Sequence, residues 1–223
     1  MSPYDAIYFD LDSTLCEPIQ GREQLLETTF ERAGIEQFCT VGGLRVAARE
    51  VNDAETDEEF FEALFTEAAR NADVDPTVAP DLAEAYLSTV DPARVRFRAG
   101  AEAALEVARE VAPIGLITNG TRETQTQKLE ALEIVDDFDV SVFVDPRNGV
   151  PPKPHAKPFE LALSGLGVEP ENTVHIGDNL YADVAGANAM GMDSAWITLG
   201  YENSSEHEPT YELASLEEFD VVV

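Results

Sequence analysis

Beyond Pro92 the chain alternates between two kinds of segment with little interruption. Short apolar runs, "IGLIT" (114–118), "VSVFV" (140–144), "TVHIG" (173–177) and "SAWIT" (194–198), are separated by stretches of ten or more residues with helical spacing. Those stretches are "AEAALEVAREV", "RETQTQKLEALEI", "HAKPFELALSGLG" and "YADVAGANAMG". Strands joined through helices imply right-handed crossovers and a parallel sheet. The runs are apolar throughout instead of alternating, as strands covered on both faces require. The expected fold is therefore α/β, a doubly wound parallel sheet.

One further strand, "AIYFDL" (6–11), stands alone near the N-terminus. Between it and the alternating region lies a section with helical periodicity only: "REQLLETTFERAG" stopped by Gly34, "GLRVAAREVN", "TDEEFFEALFTEAARNA" and "APDLAEAYLSTV". Thr56 followed by Glu59 has the spacing of a capping box. The chain thus divides into a core of residues 1–15 and 94–223 and an all-helical insert of residues 16–93. Arg45 and Arg49 lie four apart in the insert, spaced either to grip a second anionic group or to pair with acidic neighbours.

In an open parallel sheet, ligands bind beyond the carboxyl ends of the strands. Asp10 and Asp12 close the first strand. "TNG" (Thr118, Asn119, Gly120) stands at the end of the next and reads as opening a helix, while Asp178 follows "TVHIG", with Asp183 five residues on. "PPKPHAKPF", before the preceding helix, holds Lys153 and Lys157. Four separate segments thus bring carboxylates, a hydroxyl, amides and a lysine to one edge. Carboxylates about 4 Å apart repel by about 4 kcal/mol per pair at an effective dielectric near 20. A hard divalent cation with oxygen ligands, most simply Mg2+, relieves that repulsion. The lysine and the amides of Asn119 and Gly120 suit a phosphate group.

Composition narrows the function classes. The 223 residues carry a formal charge of −30, with 44 acidic residues spread along the chain against eleven arginines and three lysines. A diffuse acidic surface suits high salt and argues against a nucleic-acid partner, which needs clustered cations. No apolar run is long enough to span a membrane, and the N-terminus has no basic leader, so a cytoplasmic location is expected. Cys16 and Cys39 lack metal or redox spacing and read as core or cap residues. Asn203-Ser204-Ser205 carries a glycosylation pattern that a cytoplasmic protein leaves unused.

Taken together, "YFDLDSTL", "LITNG", "KPHAKPF" and "HIGDNLYAD" resemble, in order, the four motifs of the haloacid dehalogenase-like hydrolase superfamily. The insert resembles the helical cap of its first subfamily. The resemblance implies that Asp10 is a nucleophile forming an aspartyl-phosphate and Asp12 the general acid and base. It implies that Thr118 holds a phosphoryl oxygen and that a lysine offsets charge. Asp10, the backbone carbonyl of Asp12 and Asp178 would bind Mg2+, with Asp183 supporting the metal shell. Lys153, six residues before Phe159, meets the motif spacing; Lys157 repeats the Lys-Pro dipeptide and remains an alternative. Asp12 favours a phosphatase over a dehalogenase, which lacks that second aspartate. The expected substrate is a small phosphate ester. The alternatives are a sugar-phosphate mutase, disfavoured by Ser13 where mutases usually carry glycine, and a phosphate-binding protein without turnover. "LITNGTRETQTQKLEAL" is similar to the corresponding segment of nucleotide monophosphatases. Oligomeric state is not legible.

Overall fold

A computed structural model describes residues 3–51, 54, 56–200 and 206–223, without the Arg49 side chain. The reading of the Arg49 side chain and that of Asn203-Ser204-Ser205 fall outside this description. The chain forms two compact units, residues 1–17 with 95–223, and residues 18–94.

The larger unit is built on six parallel strands: β1 (Ala6–Phe9), β4 (Ile114–Thr121), β5 (Val140–Val144), β6 (Thr173–Gly177), β7 (Asp193–Ile197) and β8 (Tyr211–Leu213). Their order is β5-β4-β1-β6-β7-β8, so β1 is central, with β4 on one side and β6 on the other. The strand order reverses at β1, and the parallel pairing sets the carboxyl ends of β4, β1 and β6 side by side.

Every residue of β1 is fully buried. Ile7 and Phe9 face one apolar cluster, with Ala104, Leu105 and Ala108 of helix α5 (Ala101–Val111) and with Phe219. Ala6 and Tyr8 face the other, with Phe159, Ala162 and Leu163 of helix α7 (Ala156–Leu166). Burying each large side chain stabilises by about 1.5–3 kcal/mol, and both faces of one short strand do so. Gly115 in β4 makes room for this arrangement: a Cβ there would lie 2.5 Å from the Tyr8 ring. Tyr8 in turn donates its hydroxyl proton to the Ala162 carbonyl at 3.1 Å.

Helix α6 (Arg122–Ala131) follows β4 and helix α8 (Gly186–Met190) precedes β7. Three local details depart from the sequence reading. "TNG" does not open α6; β4 continues to Thr121, with a register shift between Thr118 and Thr121, and Thr121 caps the helix. The segment read as one helix after β6 begins as a π-helical turn over Leu180–Ala185. A two-stranded ribbon of β2 (Cys16–Pro18) and β3 (Val95–Phe97) accompanies the chain's two crossings between units. Glu17 in this ribbon pairs with both Arg96 (2.7 Å) and Arg98 (2.8 Å).

The smaller unit holds helices α1 (Arg22–Ala33), α2 (Val41–Ala47), α3 (Asp57–Asn71) and α4 (Ala79–Thr89). Leu26, Phe30, Phe65 and Leu82 form its core, and Phe38 packs edge-on against Phe30 at 5.0 Å. Gly34 ends α1 in a left-handed cap, and Thr56 caps α3 by accepting the Glu59 amide proton. Cys16 lies in the larger unit's core and Cys39 is half-buried among the helices. No helix among the described residues is long and apolar enough to cross a membrane.

Candidate active site

Beyond the carboxyl end of β1 the chain turns sharply, with Ser13 in a left-handed conformation (φ 68°) and its amide bonded to the Cys16 carbonyl. This turn leaves Asp10 buried and Asp12 half-exposed one step further out. Asp10 meets two more carboxylates, Asp178 just past β6 and Asp183 in the π-helical turn. One oxygen from each lies within 4.8 Å of the others.

Lys153 enters this group from the loop before α7. Its ammonium, almost fully buried, donates to Asp10 Oδ1 at 2.8 Å and Asp183 Oδ1 at 2.6 Å. Asn119 fixes the lysine backbone with both ends of its amide, accepting from Lys153 N–H at 2.8 Å and donating to the Lys153 carbonyl at 3.2 Å. The Asn119 side chain thus anchors the lysine, and its amide and that of Gly120 belong to a bulged strand end, not to a helix N-terminus. Lys157 is elsewhere: it is half-exposed and faces Glu160 at 3.8 Å, one helical turn on.

Asp183 is held from three sides. Besides Lys153, it accepts from His175 Nε2 (2.9 Å) and from the Asn179 amide (3.0 Å). Gly177 is required beside it, because a Cβ there would lie 2.2 Å from the Asp183 carboxyl carbon. Burial by itself would raise the Asp183 pKa, but the Lys153 cation and the His175 hydrogen bond overcome this and hold it below the usual carboxylate range. Asp10 goes the other way. Burial, reinforced by the charges of Asp183 and Asp178, outweighs Lys153 and pushes its carboxyl up to about 8. Burial also lowers the His175 pKa, and because an ionised Asp183 can only accept, the His175 Nε2–H is the donor of this pair. His175 escapes sequence reasoning because it stands inside an apolar strand run.

Two further residues were not legible. Lys128 of α6 donates to both oxygens of Asp12, at 2.8 and 2.7 Å. Gln125, fully buried on the same helix, donates one amide proton to Asp12 Oδ2 (2.8 Å) and the other to Thr118 Oγ1 (2.7 Å). The Thr118 hydroxyl also accepts weakly from the Gly120 amide at 3.4 Å, so its own proton is available to a ligand. Gly120 has a steric reason: a Cβ would lie 2.1 Å from the Gln125 amide nitrogen. The signal was there in part, since two of the chain's three lysines prove to serve these aspartates.

Three carboxylates cluster here, and the one buried ammonium bonds two of them, Asp10 and Asp183. The donor set is all oxygen, and the surplus is negative. Both properties fit a hard divalent cation, which would also bring the Asp10 carboxyl back to its ionised form.

A parallel α/β sheet interrupted after its first strand by a helical unit, with aspartates at the ends of β1 and β6 and a lysine between them, defines a Rossmann-like protein with a carboxylate-based site. The chain belongs to the haloacid dehalogenase-like hydrolase family, whose profile matches residues 4–191. It is 32% identical to a phosphoserine phosphatase of Thermus thermophilus over 161 residues, covering 71% of this chain and 63% of that one. It is 27% identical to the pyrimidine 5'-nucleotidase YjjG of Escherichia coli, covering 97% and 96%. The chain spans less than two thirds of the length of several curated relatives it matches. Its fold also matches that of the HAD-hydrolase YfnB of Bacillus subtilis, solved bound to magnesium, with a TM-score of 0.75, 21% identity and 98% of each chain covered.

Proposed function

We propose that the protein is a Mg2+-dependent phosphomonoester hydrolase acting on a small phosphorylated metabolite through an aspartyl-phosphate on Asp10. The observation that carries this reading is the buried Lys153 ammonium bonded to both Asp10 and Asp183, with Asp178 completing a compact carboxylate group. The naming of related chains as phosphatases, and of one as a 5'-nucleotidase, supports it.

Asp10, Asp178 and the backbone carbonyl of Asp12 would hold the Mg2+, with Asp183 fixing the arrangement behind them. When bound, the ion neutralises the carboxylates and draws charge from the phosphoryl oxygens. In the first half-reaction an Asp10 oxygen attacks phosphorus opposite the ester oxygen. The ester P–O bond breaks as the Asp10–phosphorus bond forms, and Asp12 supplies the proton with which the alcohol leaves. Lys153 and the Thr118 hydroxyl offset charge on the phosphoryl oxygens, and the amides of Asn119 and Gly120 offer further donors. In the second half-reaction water attacks phosphorus and gives a proton to Asp12. The bond to Asp10 breaks, and inorganic phosphate leaves. The location is cytoplasmic, in a high-salt interior that suits the acidic surface.

Phosphate release from a panel of phosphomonoesters in molar salt, with Mg2+ or with EDTA, tests the proposal. Release that needs Mg2+ and disappears in Asp10→Asn supports it, as does a loss of about 10²-fold or more in Asp12→Asn. Equal release in EDTA, or from Asp10→Asn, overturns it.

A further inference from the structure

Asp12 sits just past a strand, in a turn, with its side chain about half-exposed (45%). Such a carboxylate would ordinarily sample several rotamers. Here it accepts three hydrogen bonds from α6, two from Lys128 and one from Gln125. The donors are three residues apart and lie on one helix face. Lys128 is itself largely buried, only 13% of its side chain being exposed, and in so acidic a chain it has many other carboxylates to choose from.

Gln125 adds a second sign. Both its amide protons are used, on Asp12 and Thr118, while its buried Oε1 has no hydrogen-bond partner among the described residues. Leaving a buried acceptor unsatisfied costs about 1–3 kcal/mol. Turning the amide over would aim Oε1 at the Asp12 carboxylate, which is worse. The side chain is therefore kept in this orientation by Asp12, at the expense of its own oxygen.

All three bonds reach Asp12 from donors. These bonds from two residues of one helix fix the direction in which the Asp12 carboxylate faces. We propose that Lys128, assisted by Gln125, is a positioning residue that orients the Asp12 carboxylate to take the proton from water in the second half-reaction, when the aspartyl-phosphate on Asp10 is hydrolysed. The inference rests on the phosphatase reading above.

The test uses Lys128→Met, which keeps the aliphatic stem, with Lys128→Gln as the second variant should the first not fold. The substrate is p-nitrophenyl phosphate, whose leaving group departs without a proton, so the first half-reaction does not need Asp12. Rapid-quench kinetics with Mg2+ should give a burst of about one p-nitrophenolate per site at a rate within a few-fold of the unsubstituted enzyme. Phosphate release should fall about 10²-fold, and acid-stable phosphoenzyme should accumulate. Equal slowing of both half-reactions, or a rise in KM alone, overturns the proposal. A crystal structure of the same variant gives a readout independent of turnover: Asp12 turned away or in several rotamers supports it, and an unchanged Asp12 overturns it. If the unsubstituted enzyme with Mg2+ releases no phosphate from p-nitrophenyl phosphate or from any member of the phosphomonoester panel, the phosphatase reading fails, while the structural arm still decides whether Lys128 orients Asp12.

Discussion

Removing Lys153 should be among the most damaging single changes available to the larger unit. Lys153→Ala deletes the ammonium that bridges Asp10 and Asp183 and leaves two buried carboxyl groups facing each other. Breaking a buried ion pair from one side costs about 3–5 kcal/mol. For a chain of this size each kcal/mol lowers Tm by about 2–4 °C, so a drop of about 6–20 °C is expected. The sign with pH follows from the shift. Burial lowers the Lys153 pKa, but the attraction of Asp10 and Asp183 prevails and raises it above the ordinary lysine value. Its stabilisation is thus fully present below that ordinary value and is lost only as pH rises through the folded-state pKa. At pH 8 the whole effect is available. Lys157→Ala is the control: its partner is Glu160 at 3.8 Å, both side chains about half-exposed, and the expected loss is under about 1 kcal/mol. The assay is thermal unfolding of both variants at pH 8 in molar salt with EDTA, followed by phosphate release with Mg2+. An unchanged Tm and activity in Lys153→Ala, or equal damage in Lys157→Ala, refutes the reasoning.

Three further outcomes are expected. Because the Asp10 carboxyl is pushed up to about 8 and a cation must displace its proton, Mg2+ affinity by calorimetry should rise with pH up to about 8 and then level off; a flat profile contradicts this. Gly120→Ala should force the Gln125 amide away from Asp12 and Thr118 and destabilise by about 1–3 kcal/mol in urea, with lowered turnover; an unaltered variant would show that Gln125 has room to move. With a formal charge of −30, Tm should climb between 0.1 M and 2 M KCl as screening shortens the Debye length from about 10 Å to under 3 Å; a Tm independent of salt contradicts a self-repelling surface.

The large features were legible because they are written in local pattern. Apolar runs separated by helical spacing announce a parallel sheet, and "AIYF" is buried on both faces as its composition requires. The Asp10 and Asp178 positions followed from the rule about strand ends. What escaped depends on contacts distant in sequence. Lys128 meets Asp12 across 116 residues, and nothing near either one signals the other. His175 looks like one more strand residue until Asp183 folds back over it. "TNG" read as a helix opening because Asn and Gly favour turns, whereas the chain uses them in a strand bulge that lets Asn119 grasp Lys153 and makes room for Gln125. The β2–β3 ribbon is too short, at three residues per strand, to impose any period.

The most direct test of the account is to trap the covalent intermediate. The protein is mixed with a 32P-labelled phosphomonoester that it hydrolyses and with Mg2+, quenched in acid within milliseconds, digested and mapped. The account predicts acid-stable label on the peptide containing Asp10, absent from Asp10→Asn and increased in Lys128→Met. Turnover with no label on that peptide at any quench time, together with an active Asp10→Asn variant, would contradict it.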